Sequence, residues 1–116
     1  MGLAVCRALK VLCVADDAPS LDALRRATIA AEWELTPGAT NETDALATID
    51  AERPQSMVVF GQHDAFVALV RERFPAMRIV TDRETEGTSA VARSHEDVRT
   101  VLRTLARPGG PVLPQA

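Results

Sequence analysis

VLCVADDAPSL, Val11 to Leu21, is the stretch on which the fold turns. Apolar and β-branched residues run directly into two adjacent aspartates, and Pro19 follows. Lys10 to Ala15 therefore reads as a short strand buried on both faces. Asp17-Ala18-Pro19 reads as a helix start, with an aspartate at the N-cap and a proline in the first turn. The open question is whether Asp16-Asp17 is a working acidic site or only the junction between strand and helix.

The same alternation continues along the chain. Leu21, Leu24, Thr28 and Ala31 recur at helical spacing, predicting a first helix from Pro19 to about Glu32. WELTPGAT reads as a second strand, broken by Pro37-Gly38. Ala45, Leu46 and Ile49 place a second helix over 42–52, and SMVVF (56–60) is a third, wholly apolar strand. Asp64 is expected to cap a third helix carrying Phe66, Leu69, Val70 and Phe74, which Pro75 ends. MRIVT is strand four and SAVAR a thin strand five. Ser94 to Asp97 is an S-x-x-D capping pattern, followed by Val98, Val101, Leu102 and Leu105 at amphipathic spacing. Short apolar strands alternating with amphipathic helices call for an α/β fold with a parallel sheet covered on both faces. The expected organisation is an N-terminal extension (1–9), one domain (10–106) and a disordered Pro/Gly-rich tail (107–116).

Composition narrows the function classes. The 116 residues fit one domain, and 47% apolar content is enough for one core. A net charge of -3, with no basic run and few aromatics, argues against nucleic acid as a partner. Cys6 and Cys13 lack C-x-x-C spacing, so a reducing cytoplasm fits better than a disulfide scaffold. The start is broken by Arg7 and Lys10, and reads as neither a signal peptide nor a membrane span. His63 and His95 have no second ligand at zinc spacing, and neither a G-x-S-x-G elbow nor a G-x-G-x-x-G or P-loop motif occurs. The arginine rows (Arg71, Arg73; Arg99, Arg103, Arg107) are read as solvated faces that can also meet an acidic partner protein.

In an open parallel sheet, ligands sit beyond the carboxyl ends of the strands. That rule selects Asp16, Asp17, Phe60, Gly61, Thr81, Asp82 and Arg93. At this point the chain resembles the receiver domains of bacterial response regulators over 10–106. VADDAPSLDALRR is similar to that family's first strand, acidic pair and first helix, and Thr81 to the hydroxyl residue ending strand four. The resemblance implies a flavodoxin-like (CheY-like), doubly wound sheet of five strands. It also implies an acidic pair holding Mg²⁺, a phospho-accepting aspartate ending strand three and a lysine ending strand five.

This chain keeps the acidic pair alone. The acceptor position falls on Phe60 or Gly61, the lysine position on Arg93 or a neighbour, and Lys10, the one lysine, belongs to the far end of strand one. DRETEGTS is too short for a full helix between strands four and five, so the family's helix four is expected to be short or missing. With Phe60 in place of a third carboxylate, the reading preferred here is that Asp17 caps the first helix and Asp16 is solvated. Two bare carboxylates would then repel each other unless Arg93 or Arg83 swung in. A Mg²⁺ site at Asp16 and Asp17 is the weaker reading.

The expectation is a stand-alone pseudo-receiver, not an enzyme. It would act in the cytoplasm as a phosphorylation-independent interaction module, with a histidine kinase or another regulator as partner. A homodimer through the edge of strand five and the last helix is a further expectation. The alternatives are a phosphorelay receiver using Asp16/Asp17, Mg²⁺ and an unusual acceptor such as Asp64, and a small-ligand or nucleotide binder at the strand ends.

Overall fold

Strand β1 (Leu9–Val14) is an interior strand of a five-stranded sheet in which every neighbouring pair is parallel. This is a computed structural model that describes residues 9–61 and 63–106; the expected tail, and the expected extension apart from Leu9, lie outside the described residues. The remaining elements are α1 (Ala18–Thr28), β2 (Trp33–Leu35), α2 (Glu42–Glu52), β3 (Ser56–Val59), α3 (Asp64–Arg73), β4 (Arg78–Thr81), β5 (Ala90–Val91) and α4 (His95–Ala106), and the strand order is β2-β1-β3-β4-β5.

The two-residue period of the strands divides the core. Leu12, Val14, Met57, Val59 and Ile79 face one way, toward Ala45 and Ile49 of α2 and Phe66, Val67 and Val70 of α3. Val11, Cys13, Val58 and Val80 face the other, toward Leu24 of α1 and Val98 and Leu102 of α4. Burial on both faces explains why these strands are apolar without alternation. Each fully buried Leu, Ile, Val or Phe stabilises the fold by roughly 1.5–3 kcal/mol.

The order of elements agrees with the sequence reading, and the differences are local. Helix α1 stops at Thr28, earlier than the apolar spacing predicts. The Trp33 indole N–H takes the Thr28 carbonyl at 2.7 Å, and Ile29 turns to extended geometry. Asp64 is not a cap: His63 holds the N-cap position without a side-chain bond, and Asp64 sits in the first turn, where its charge still suits the helix dipole. Strand β5 shrinks to two residues.

Residues 82–89 carry no helix, in agreement with the expectation that a helix between β4 and β5 is short or missing. Hydroxyl groups brace the segment instead. The Thr88 hydroxyl reaches the carbonyls of Ile79 (3.0 Å) and Ala90 (2.8 Å), and Ser89 Oγ accepts the Ile79 N–H at 3.0 Å. These bonds hold the segment against the β4 edge where a helix would otherwise cover it. Among the described residues no helix is long and apolar enough to cross a membrane.

Candidate functional site

The strand order reverses at β1/β3, so the crevice beyond their carboxyl ends is where this topology places a ligand. It has a volume of about 480 Å³ and is lined by Asp16, Ser20, Phe60, Gly61, Asp82, Arg83 and His95, with Ala15, Pro19 and Ala23.

The two aspartates divide their work. Asp17 is the N-cap of α1, its carboxylate accepting the Ser20 N–H at 2.8 Å. That bond, made to the charged form, holds its carboxyl below the ordinary value. Asp16 points into the crevice, with 61% of its side chain exposed. Its Oδ1 lies 2.7 Å from Nε2 of His63, a side chain only 15% exposed, in the β3–α3 connection.

The strand register explains why these groups meet. Val14 is paired with Val59, and the Phe60 N–H donates to the Val14 carbonyl at 3.0 Å. Two residues beyond that pair on each strand, Gly61 stands beside Asp16. Gly61 has φ +113°, and a Cβ built on it would fall 2.6 Å from Asp16 Oδ1. The Asp16 carboxylate thus occupies the space into which any side chain at 61 would project. The Phe60 ring turns to the α1/α4 face and stacks on His95, centroids 5.1 Å apart and planes 21° apart.

The other expected site residues are placed elsewhere. Thr81 is buried, with its hydroxyl 2.6 Å from the Arg83 carbonyl and 3.0 Å from the Thr88 hydroxyl. Arg93 does not reach the aspartates. Ala92 is fully buried, so its neighbour is turned outward, and Arg93 faces Glu84 at 3.8 Å with 69% of its side chain exposed. Arg83 lines the crevice but pairs with Asp82 at 3.3 Å. Lys10 lies at the opposite end of β1, 3.2 Å from Glu52. The partner of Asp16 is therefore His63, which sequence reasoning considered only as a metal ligand.

A hard divalent ion needs several oxygen ligands. Here one carboxylate of the pair is committed to a helix cap and the other to a histidine. Among the described residues no group of three or more His, Cys, Asp or Glu is arranged to hold a metal ion. This donor set does not fit Mg²⁺.

No family profile matches the sequence, and no curated protein does. Solved structures do match. An orphan response regulator of H. pylori is 12% identical over 85% of this chain and 97% of that one, with a TM-score of 0.68. The signal receiver domain of an HD domain-containing protein from Pseudomonas fluorescens is 15% identical over 84% and 93%, with a TM-score of 0.68. A CheY-like receiver domain protein from Methanospirillum hungatei is 16% identical over 84% and 92%, with a TM-score of 0.67. At such identities the likeness establishes the fold: a CheY-like, flavodoxin-like sheet with helices on both faces.

Proposed function

We propose that this chain is a response-regulator-like signalling domain that works by protein contact, without phosphoryl transfer and without catalysis. One observation carries the reading: Gly61 stands at the acceptor position, and the Asp16 carboxylate, held by His63, fills the space beside it. No carboxylate or hydroxyl occupies that position to attack a phosphorus atom. Neither Lys10 nor Arg93 brings a fixed positive charge to the place where negative charge would develop. Asp64, the alternative acceptor, lies in the first turn of α3, where it serves the helix.

The partner is a signalling protein, a histidine kinase or another regulator, met through α1 or through the β5/α4 edge that no helix covers. The same edge suits a second copy of the chain.

The test is a two-dimensional amide NMR spectrum titrated with Mg²⁺ and beryllofluoride, followed by intact-mass measurement after incubation with acetyl phosphate. The expected result is no shift at Asp16, Asp17, Gly61 or Thr81 and no added phosphoryl mass. Concerted shifts at those amides together with β5, or a stable phosphoryl adduct, overturn the proposal in favour of a phosphorelay receiver.

A further inference from the structure

At the opposite end of the sheet from the crevice, a second cavity opens between the C-termini of α2 and α3. Its volume is about 320 Å³, at the lower end of the ~300–1,000 Å³ range of small-molecule pockets. Ile49, Pro54, Phe74 and Met77 form apolar walls, and Ile49 and Met77 belong to the core itself. Arg53 and Gln55 also line it and bring side-chain donors to an otherwise apolar wall. Gln55 Oε1 is already taken by the Lys10 N–H at 2.6 Å, which leaves its amide N–H₂ as the free end.

The charged side chains at this cavity are arginines, set against the negative ends of the two helix dipoles. No carboxylate lines it. Arg53, the left-handed C-cap of α2 (φ 53°), keeps a largely exposed side chain; its Nε donates to the Asp50 carbonyl at 3.2 Å and its ion pair with the Asp50 carboxylate is long at 3.8 Å, exposed contacts that a ligand carboxylate must displace. From the other wall, the Arg71 guanidinium reaches the Pro75 carbonyl at 3.4 Å, bringing a second positive charge to the rim. An apolar body needs the walls and an anionic head needs the donors.

We infer that this cavity binds a small amphipathic carboxylate, its hydrocarbon against Ile49, Phe74 and Met77 and its head at Arg53 and Gln55. The site is separate from the strand-end crevice and does not depend on how that crevice is used. Such a ligand has its own logic in this fold: it would clamp the ends of α2 and α3 together without touching the crevice.

The probe is octanoate, compared with octanamide as its neutral isostere, followed by amide NMR and by calorimetry. Octanoate is expected to bind with a Kd below about 1 mM. The shifts should fall at Arg53, Gln55, Ala76 and Met77 while Asp17 and Gly61 stay still. Octanamide should bind about three- to fivefold more weakly, the scale of an exposed ion pair. Arg53→Gln should bring octanoate down to the level of octanamide, with Arg53→Lys restoring part of the difference. Ala76→Trp, at an exposed lining position, should fill the cavity and abolish binding while leaving the remaining amides in their native positions. Absence of shifts up to about 10 mM octanoate overturns the inference. Equal binding of octanoate and octanamide also overturns it, because the arginines would then serve only the helix ends.

Discussion

Replacing Gly61 by alanine tests the packing of the crevice at a single atom. The added Cβ meets two costs. At φ +113° an L-residue lies in a region almost reserved for glycine, which costs roughly 1–3 kcal/mol. The Cβ would also stand 2.6 Å from Asp16 Oδ1, closer than non-bonded atoms allow. The carboxylate is the end of a short side chain and can swing aside, but it then leaves His63. An exposed pair of this kind is worth about 0.2–1 kcal/mol. The sum is roughly 1.2–4 kcal/mol of lost stability, and at ~4–8 °C per kcal/mol a drop in Tm of about 5–32 °C. The readout is built in. Trp33 is the one tryptophan, is buried, and donates its indole N–H to Thr28, so its emission follows unfolding in urea.

A double-mutant cycle separates the two costs. Asp16→Ala in the Gly61→Ala background removes the clash but leaves the backbone strain. The two substitutions should therefore be non-additive by about 0.5–1 kcal/mol, with the double variant less damaged than the sum of the singles. A Gly61→Ala loss below about 0.5 kcal/mol, or additivity within about 0.3 kcal/mol, refutes the placement of Asp16 over Gly61. The same reasoning applies to Gly61→Asp: installing an acceptor carboxylate carries the strain and the clash with it, and adds a second negative charge beside Asp16.

Three further outcomes are expected. Asp17 has its carboxyl held below the ordinary 3.8 by the Ser20 N–H, so its contribution is present above that value and is lost as pH falls through the lower folded-state value. Asp17→Asn keeps a capping oxygen but should flatten that acid limb in urea midpoints measured between about pH 5 and pH 2.5; an unchanged slope would remove Asp17 as its source. Burial pushes the Cys13 thiol up to about 11, against smaller opposing pulls from Thr28 and Arg25. In a Cys6→Ser background, iodoacetamide should leave Cys13 unmodified in the native protein and label it fully in urea, and native labelling at the rate of a free thiol would contradict its burial. Arg99 donates to the carbonyls of Ile29 (2.6 Å) and Arg26 (3.0 Å) at the end of α1, so Arg99→Ala should cost about 1–2 kcal/mol by urea unfolding, and a loss under about 0.3 kcal/mol would show these bonds to be idle.

Much of the architecture is legible in the sequence because burial on both faces leaves a simple mark. Lys10–Ala15 and Ser56–Phe60 are short, unbroken apolar runs, and the helices between them carry apolar residues at helical spacing. Errors arise where tertiary contacts override local pattern. The spacing of Leu21, Leu24, Thr28 and Ala31 extends α1 by a turn, but the Trp33 indole, five residues past the end, takes the Thr28 carbonyl. Asp64 has the composition of a cap, yet His63 is drawn to Asp16 and fixes the start of α3 one residue earlier. Neither effect has a periodicity to read.

The crevice was legible as a location more than as a set of contacts. The strand-end rule brought Asp16, Phe60, Gly61 and Asp82 to one place, and the structure lines one cavity with all four. It does not choose the partner of Asp16, because His63 lies 47 residues away and no local spacing links the two. One usable signal is topological: the residues just past β3 must pass over the end of β1, and the short connection there carries two side chains able to donate to a carboxylate, Gln62 and His63. The same reasoning accounts for the remaining receiver-like groups. The Thr81 hydroxyl is taken by Arg83 and Thr88, residues of the segment that stands where the family has a helix. Asp17 is taken by Ser20, and Arg93 by Glu84. Each of these groups is engaged by a neighbour within nine residues in sequence, except Asp16, whose partner His63 is 47 residues away. That exception makes Asp16–His63 the contact that ties the end of β1 to the start of α3.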